Sequence, residues 1–208
     1  MEQTSALIQA FRVAAEKVSA VVSEVETMAQ ALAYTVDLCE RKEACRLLVS
    51  GCEAPLSDPA GALCGHKQKK VIAAPKLSEE QTRFAEGLCK ERDIGFLRGG
   101  LRDHLAGIDI GLTIADFGIA ETGTLVIDSS SEEIRLATMI SEVHVAVLPV
   151  YHIRPTAFSL EEELRGMFGH APNYCAFVTG ASRTADIERV LALGVHGPLE
   201  LHVLLLQE

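Results

Sequence analysis

Short apolar runs, each bounded by polar or turn-forming residues, limit what this chain can fold into more than any other feature. Arg46 to Val49, Val71 to Ala74, Ile94 to Leu97, Val143 to Val150, Cys175 to Thr179 and Leu201 to Leu206 have the length of buried strands. Polar helical stretches lie between several of them, and three helix starts are marked. Ser78 with Gln81, Ser130 with Glu133 and Ser159 with Glu162 each pair a hydroxyl N-cap with a reciprocal acceptor three residues on. Strand and helix take turns, which is an α/β pattern.

Ahead of this region, Leu7, Ile8, Phe11, Ala15, Val18, Val22, Val25, Ala29 and Leu32 recur at three- and four-residue steps. That spacing predicts an amphipathic helical arm over residues 1–32, followed by one α/β domain over 33–208. Helical periodicity resumes from about Met28 to Ala44, compatible with one long helix or two packed ones. A chain of 208 residues suits a single core, and with 48% hydrophobic residues, 5% aromatics and no Trp that core is mostly aliphatic. Gly51 to Gly65, with Pro55 and Pro59, reads as a long loop.

The formal charge of -10 argues against a nucleic-acid partner, because affinity for phosphate backbones comes largely from Lys and Arg. The one dense basic run, His66, Lys67, Lys69 and Lys70, reads as a solvated loop. Six cysteines form neither a C-x-x-C pair nor a ferredoxin-like spacing, as expected of reduced thiols in a cytosolic protein. Without a signal-like leader or an apolar stretch of roughly 18 residues, a cytoplasmic location and no membrane span are expected. The histidines match neither H-x-x-x-H nor H-E-x-x-H, so no metal site is expected.

Three stretches carry residue types suited to chemistry. In ADFGIAETGTLVIDSS, two extended runs flank Glu121, Thr122 and Gly123, so the chain reverses there. Gly123 supplies a positive φ and lets a ligand approach the backbone, Glu121 a carboxylate, and Thr122 a hydroxyl. In FVTGASRTADIERV a strand, a turn at Gly180 and a helix start follow one another. Free N–H groups and the helix dipole favour an anion there, with Ser182 and Thr184 as hydroxyl donors and Arg183 as a fork for a carboxylate or phosphate. Asp186 pairs with Arg183 or favours the helix's first turn. In LGVHGPLELHVLLL, His196 stands at a bend before a strand, placed to donate to a ligand or exchange a proton. His144, His152 and His202 read as structural.

Taken together, GLTIADFGIAETGTLVID, VHVAVLP and VTGASRTADIERVLALGVHGPLELHVLLL resemble the lactate-utilization protein C family, whose members carry the LUD domain. The resemblance runs from about Ile108 to Leu206. It implies a fold like that of the sugar-phosphate isomerases and coenzyme A transferases, with a mostly parallel central sheet flanked by helices. It also implies a bacterial role in oxidising L-lactate to pyruvate, beside partner subunits that bear iron-sulfur clusters; no cofactor is expected on this chain itself. Ile140-Ser141-Glu142 departs from the family's Leu-Pro before the V-H strand. Coenzyme A transferases use a glutamate beside a Gly-containing turn as nucleophile, and Glu121 resembles that placement. The expected function is a subunit or accessory of lactate utilisation that binds a small anionic metabolite. The alternative is a free-standing transferase or ligase with Glu121 as catalytic carboxylate. In either case the candidate residues should converge at the carboxyl ends of the strands. A third reading is an interaction module whose Met1 to Leu32 arm docks a partner or a second copy of the chain.

Overall fold

A computed structural model describes residues 2–42, 69–104, 107–169, 171, 173–185, 191–193 and 197–208, with 2–4, 183–185 and 191–193 described by their backbone alone. The elements in chain order are α1 (Glu2–Lys17), β1 (Ala20–Val25), α2 (Met28–Arg41), β2 (Val71–Ala73), α3 (Glu79–Glu91), β3 (Gly95–Leu97), β4 (Ile108–Ile114), β5 (Phe117–Ile119) and β6 (Thr124–Asp128). There follow α4 (Glu132–Met139), β7 (Ser141–Pro149), β8 (Ile153–Arg154), α5 (Glu161–Met167), β9 (Cys175–Val178), β10 (Arg183–Ala185), β11 (Leu191–Leu193) and β12 (Glu200–Leu206).

The fold is α/β. Six strands form a central sheet in the order β1-β12-β7-β4-β2-β3, and every pairing in it is parallel. All nine residues of β7 are buried, as a strand covered on both faces requires. Val143, Val145 and Val147 pack with Leu32 and Val36 of α2 and Ala85 of α3 on one face. Ala146 and Leu148 pack on the other with Phe11 and Ala15 of α1 and Leu125 and Ile127 of β6. β6 belongs to a smaller four-stranded sheet ordered β8-β5-β6-β9, in which the β5-β6 hairpin and the β6-β9 pair are antiparallel. Cys175 to Thr179 therefore contributes its strand to this second sheet and not to the central one.

The helical arm is corrected. α1 stops at Lys17, Ser19 takes φ +66°, and Ala20–Val25 runs as a parallel edge strand against Leu201–Leu206. Val22 and Val25 satisfy helical spacing by coincidence: Val22 packs toward the α1 face of the sheet and Val25 toward α2. A boundary after residue 32 would cut through α2, whose Ala31, Leu32, Thr35, Val36 and Cys39 are buried together.

The Ser78–Gln81 capping box is present with both reciprocal hydrogen bonds. The other two are displaced by better partners. α4 starts at Ser131 with no side-chain cap, because the Glu133 carboxylate instead accepts the Gly100 and Leu101 N–H groups at 3.0 Å each. Ser159 pairs backwards with Thr156, each hydroxyl accepting the other residue's N–H at 3.1 and 3.3 Å. At the Ile140-Ser141 departure, Ile140 is the C-cap of α4 and the Ser141 hydroxyl donates to Ala137 O at 2.7 Å, so β7 begins without a break. Arg46 to Val49 and Gly51 to Gly65 lie outside the described residues.

One buried ion cluster ties together the amino ends of three strands and the end of α2. Lys42 Nζ lies 2.6 Å from Glu142 Oε2 and 3.3 Å from Asp109 Oδ1, while Asp109 Oδ2 accepts the Val71 N–H at 2.8 Å. Burial disfavours the Lys42 charge, yet its hydrogen bond to Glu142 and the attraction of both carboxylates more than offset this and raise its pKa above the ordinary lysine value.

Candidate functional site

The three stretches singled out in the sequence meet around the end of α1. Glu121 and Thr122 are exposed at the β5-β6 turn, and the Glu121 N–H donates to Pro155 O at 3.0 Å. Gly123 has φ +66°, and a Cβ there would lie 2.3 Å from Ala15 N. Gly180 has φ +72°, and its Cβ would lie 2.1 Å from Val18 O. Both glycines are thus required by the turn geometry and by the close approach of α1. The space a ligand would need at Gly123 is filled by the helix backbone.

Hydrogen bonds join the turns to one another. The hydroxyls of Thr122, Thr124 and Thr179 form a chain with separations of 2.7 and 2.8 Å, linking the β5-β6 turn to the end of β9. Ser182 N–H donates to Pro198 O at 3.0 Å, and Gly197 packs 3.2 Å from the Ser182 side chain, measured from an ideal Cβ. The second and third stretches therefore meet as well. The expected helix start at Ser182 to Thr184 is corrected: Arg183–Ala185 is strand β10, paired antiparallel with β11, so no helix N-terminus faces an anion at those positions. The side chains of Arg183 and Thr184, and all of Asp186 and His196, lie outside the described residues.

A cleft of about 380 Å³ opens where these segments meet, lined by Met139, His144, Phe177, Thr179 to Ser182, Gly197, Pro198 and Leu201. It adjoins the carboxyl end of β9 and the amino-terminal halves of β7 and β12, not the carboxyl ends of the central sheet's strands. Polar groups, among them the Thr138, Thr179 and Ser182 hydroxyls and the His144 ring, make up at least half of its walls, beside the apolar Met139, Phe177, Pro198 and Leu201. His144 is buried and its Nε2 lies 2.8 Å from Thr113 Oγ1. Burial lowers its pKa to about 4, so the imidazole is neutral near pH 7. Such a cleft can hold a small polar molecule by neutral hydrogen bonds against an apolar wall. Gly180 and Ser182 line it; Glu121, Thr122 and Gly123 do not. Met139 carries no signal in the sequence, while Thr179 and Pro198 are readable there only as the end of a strand and part of a turn.

Fold and cleft together define an open α/β domain in which a small mixed sheet covers one face of a parallel one. The chain belongs to the LUD domain family, whose model matches residues 8–206. It is 33% identical over 103 residues to lactate utilization protein C of Exiguobacterium sp., a match that takes in 48% of this chain and 45% of that protein. Lactate utilization protein C of Halalkalibacterium halodurans is 35% identical over 94 residues, covering 44% and 41%. The chain spans about half the length of the curated relatives it matches. A crystal structure of a DUF162 family protein from Deinococcus radiodurans shares the fold, with a TM-score of 0.59, 16% identity and 98% of each chain covered.

Proposed function

We propose that this protein is a component of an L-lactate utilisation system and that the cleft beside Gly180 holds a small carboxylate such as lactate or pyruvate. The observation that carries the reading is the convergence of Thr179, Ser182 and Pro198 on one cleft. The relatives' names supply the metabolic context. In this reading the electrons pass to partner subunits bearing iron-sulfur clusters. The described cysteines fit a role without thiolate chemistry: burial raises the Cys39 thiol to about 12 and the Cys89 thiol to about 11, so both stay protonated near neutral pH.

Deleting the gene should abolish growth on L-lactate and spare growth on pyruvate. The purified chain should melt at a higher temperature with L-lactate, because a ligand that prefers the folded state stabilises it. Ser182→Ala should reduce that rise. Unimpaired growth of the deletion strain on lactate would refute the proposal.

A further inference from the structure

A second and larger cleft, about 510 Å³, lies on the other face of the sheet between α2 and the first residues of β7 and β12. Its lining includes Tyr34, Leu38, Arg41, Lys42, Glu142 and His202, with Glu200 at the rim. Unlike the first cleft it carries charge of both signs. Lys42 and Glu142 satisfy each other at 2.6 Å, which leaves the exposed Arg41 cation and the Glu200 carboxylate as the charges of opposite sign that the lining offers a ligand. Leu38, Val143 and Leu199 supply an apolar wall.

The hydrogen bonds decide which groups accept and which donate. His202 Nε2 lies 3.0 Å from Glu200 Oε2, and an ionised carboxylate can only accept, so Nε2 carries the proton. In the neutral Nε2–H tautomer, His202 Nδ1, 2.8 Å from the Tyr34 hydroxyl, accepts the phenolic hydrogen. This leaves the Tyr34 oxygen with lone pairs for a donor. Tyr34 and Glu200 thus form an acceptor side. The Arg41 guanidinium is exposed, with Nε donating to Asp37 O at 3.2 Å, and its planar fork suits a carboxylate.

We propose that this cleft binds a small zwitterion of the aliphatic amino-acid class, with the ligand carboxylate on Arg41, its ammonium between Glu200 and the Tyr34 oxygen, and its side chain on Leu38, Val143 and Leu199. A simple carboxylate would meet Glu200 with no ammonium to offer it. A simple amine would leave Arg41 without an anion. Only a molecule carrying both charges satisfies both.

The test is a melting series on the full chain with L-leucine at about 10 mM, beside 4-methylpentanoate, which lacks the ammonium, and 3-methylbutylamine, which lacks the carboxylate. Binding with a Kd near 1 mM should raise the melting temperature by roughly 3 °C with leucine and leave it unchanged with the other two. Arg41→Gln and Glu200→Gln alter exposed side chains and should melt within about 1 °C of the parent without ligand. Each should lose the leucine response. No leucine response in the parent, a response retained in both variants, or an equal response to 4-methylpentanoate overturns the proposal.

Discussion

Replacing His144 with glutamine should flatten the acid limb of the protein's stability curve. In the folded state burial holds the His144 pKa at about 4, against 6.5 when the ring is solvated. Because the unfolded chain then binds a proton more readily, stability falls as pH drops through 6.5 and levels off below the folded value. With those two pKa values the loss reaches about 2 kcal/mol at pH 5 and about 3 kcal/mol at pH 4. Glutamine retains an amide for Thr113 Oγ1 and has no proton to take up. Urea denaturation of parent and His144→Gln at several values between pH 7 and pH 4 measures the effect, since carboxylates that titrate in the same range contribute equally to both proteins. The gap between the two stabilities at pH 7 should shift in the variant's favour by about 2 kcal/mol at pH 5. Curves that run parallel across that range would refute the argument that His144 is held neutral.

Two glycines should respond to the same substitution with opposite signs. Gly180→Ala forces a methyl to within 2.1 Å of Val18 O at φ +72° and should cost at least about 2 kcal/mol, whereas Gly87→Ala, inside α3 with nothing within 4 Å, should add up to about 1 kcal/mol; thermal melting reads both. Lys42→Met takes the Lys42 charge away from the buried Asp109 and Glu142 carboxylates and should cost about 3 to 5 kcal/mol at pH 7 by urea denaturation. Since the folded Lys42 pKa is raised, the parent's advantage over this variant should be present at neutral pH and fade as pH climbs through that raised value, above the ordinary lysine range.

The apolar runs made β2, β7 and β12 legible because inner parallel strands are buried on both faces and need no alternation, while β3, a half-buried edge strand, was legible from its short apolar run alone. β4 was not singled out as a strand, although it lies at the centre of the sheet. In its sequence I-D-I-G-L-T-I the polar positions interrupt the run, and what makes them tolerable inside is tertiary: Asp109 has Lys42 and the Val71 N–H, and Thr113 has His144. β1 was hidden for the opposite reason, since its valines continue the spacing of α1 and the reversal at Ser19 carries no glycine or proline to mark it. At the candidate site the turns were readable as turns. That Gly123 and Gly180 serve the packing of α1 depends on a helix more than 100 residues earlier in the chain, which no local pattern encodes.

Asp109 joins parts of the chain that lie far apart in sequence. One of its oxygens is moored to Lys42 at the end of α2 and the other to the Val71 N–H at the start of β2, so one side chain on β4 fixes where a helix stops relative to where a neighbouring strand begins. A change at that position would therefore loosen the helical layer and the parallel ladder together.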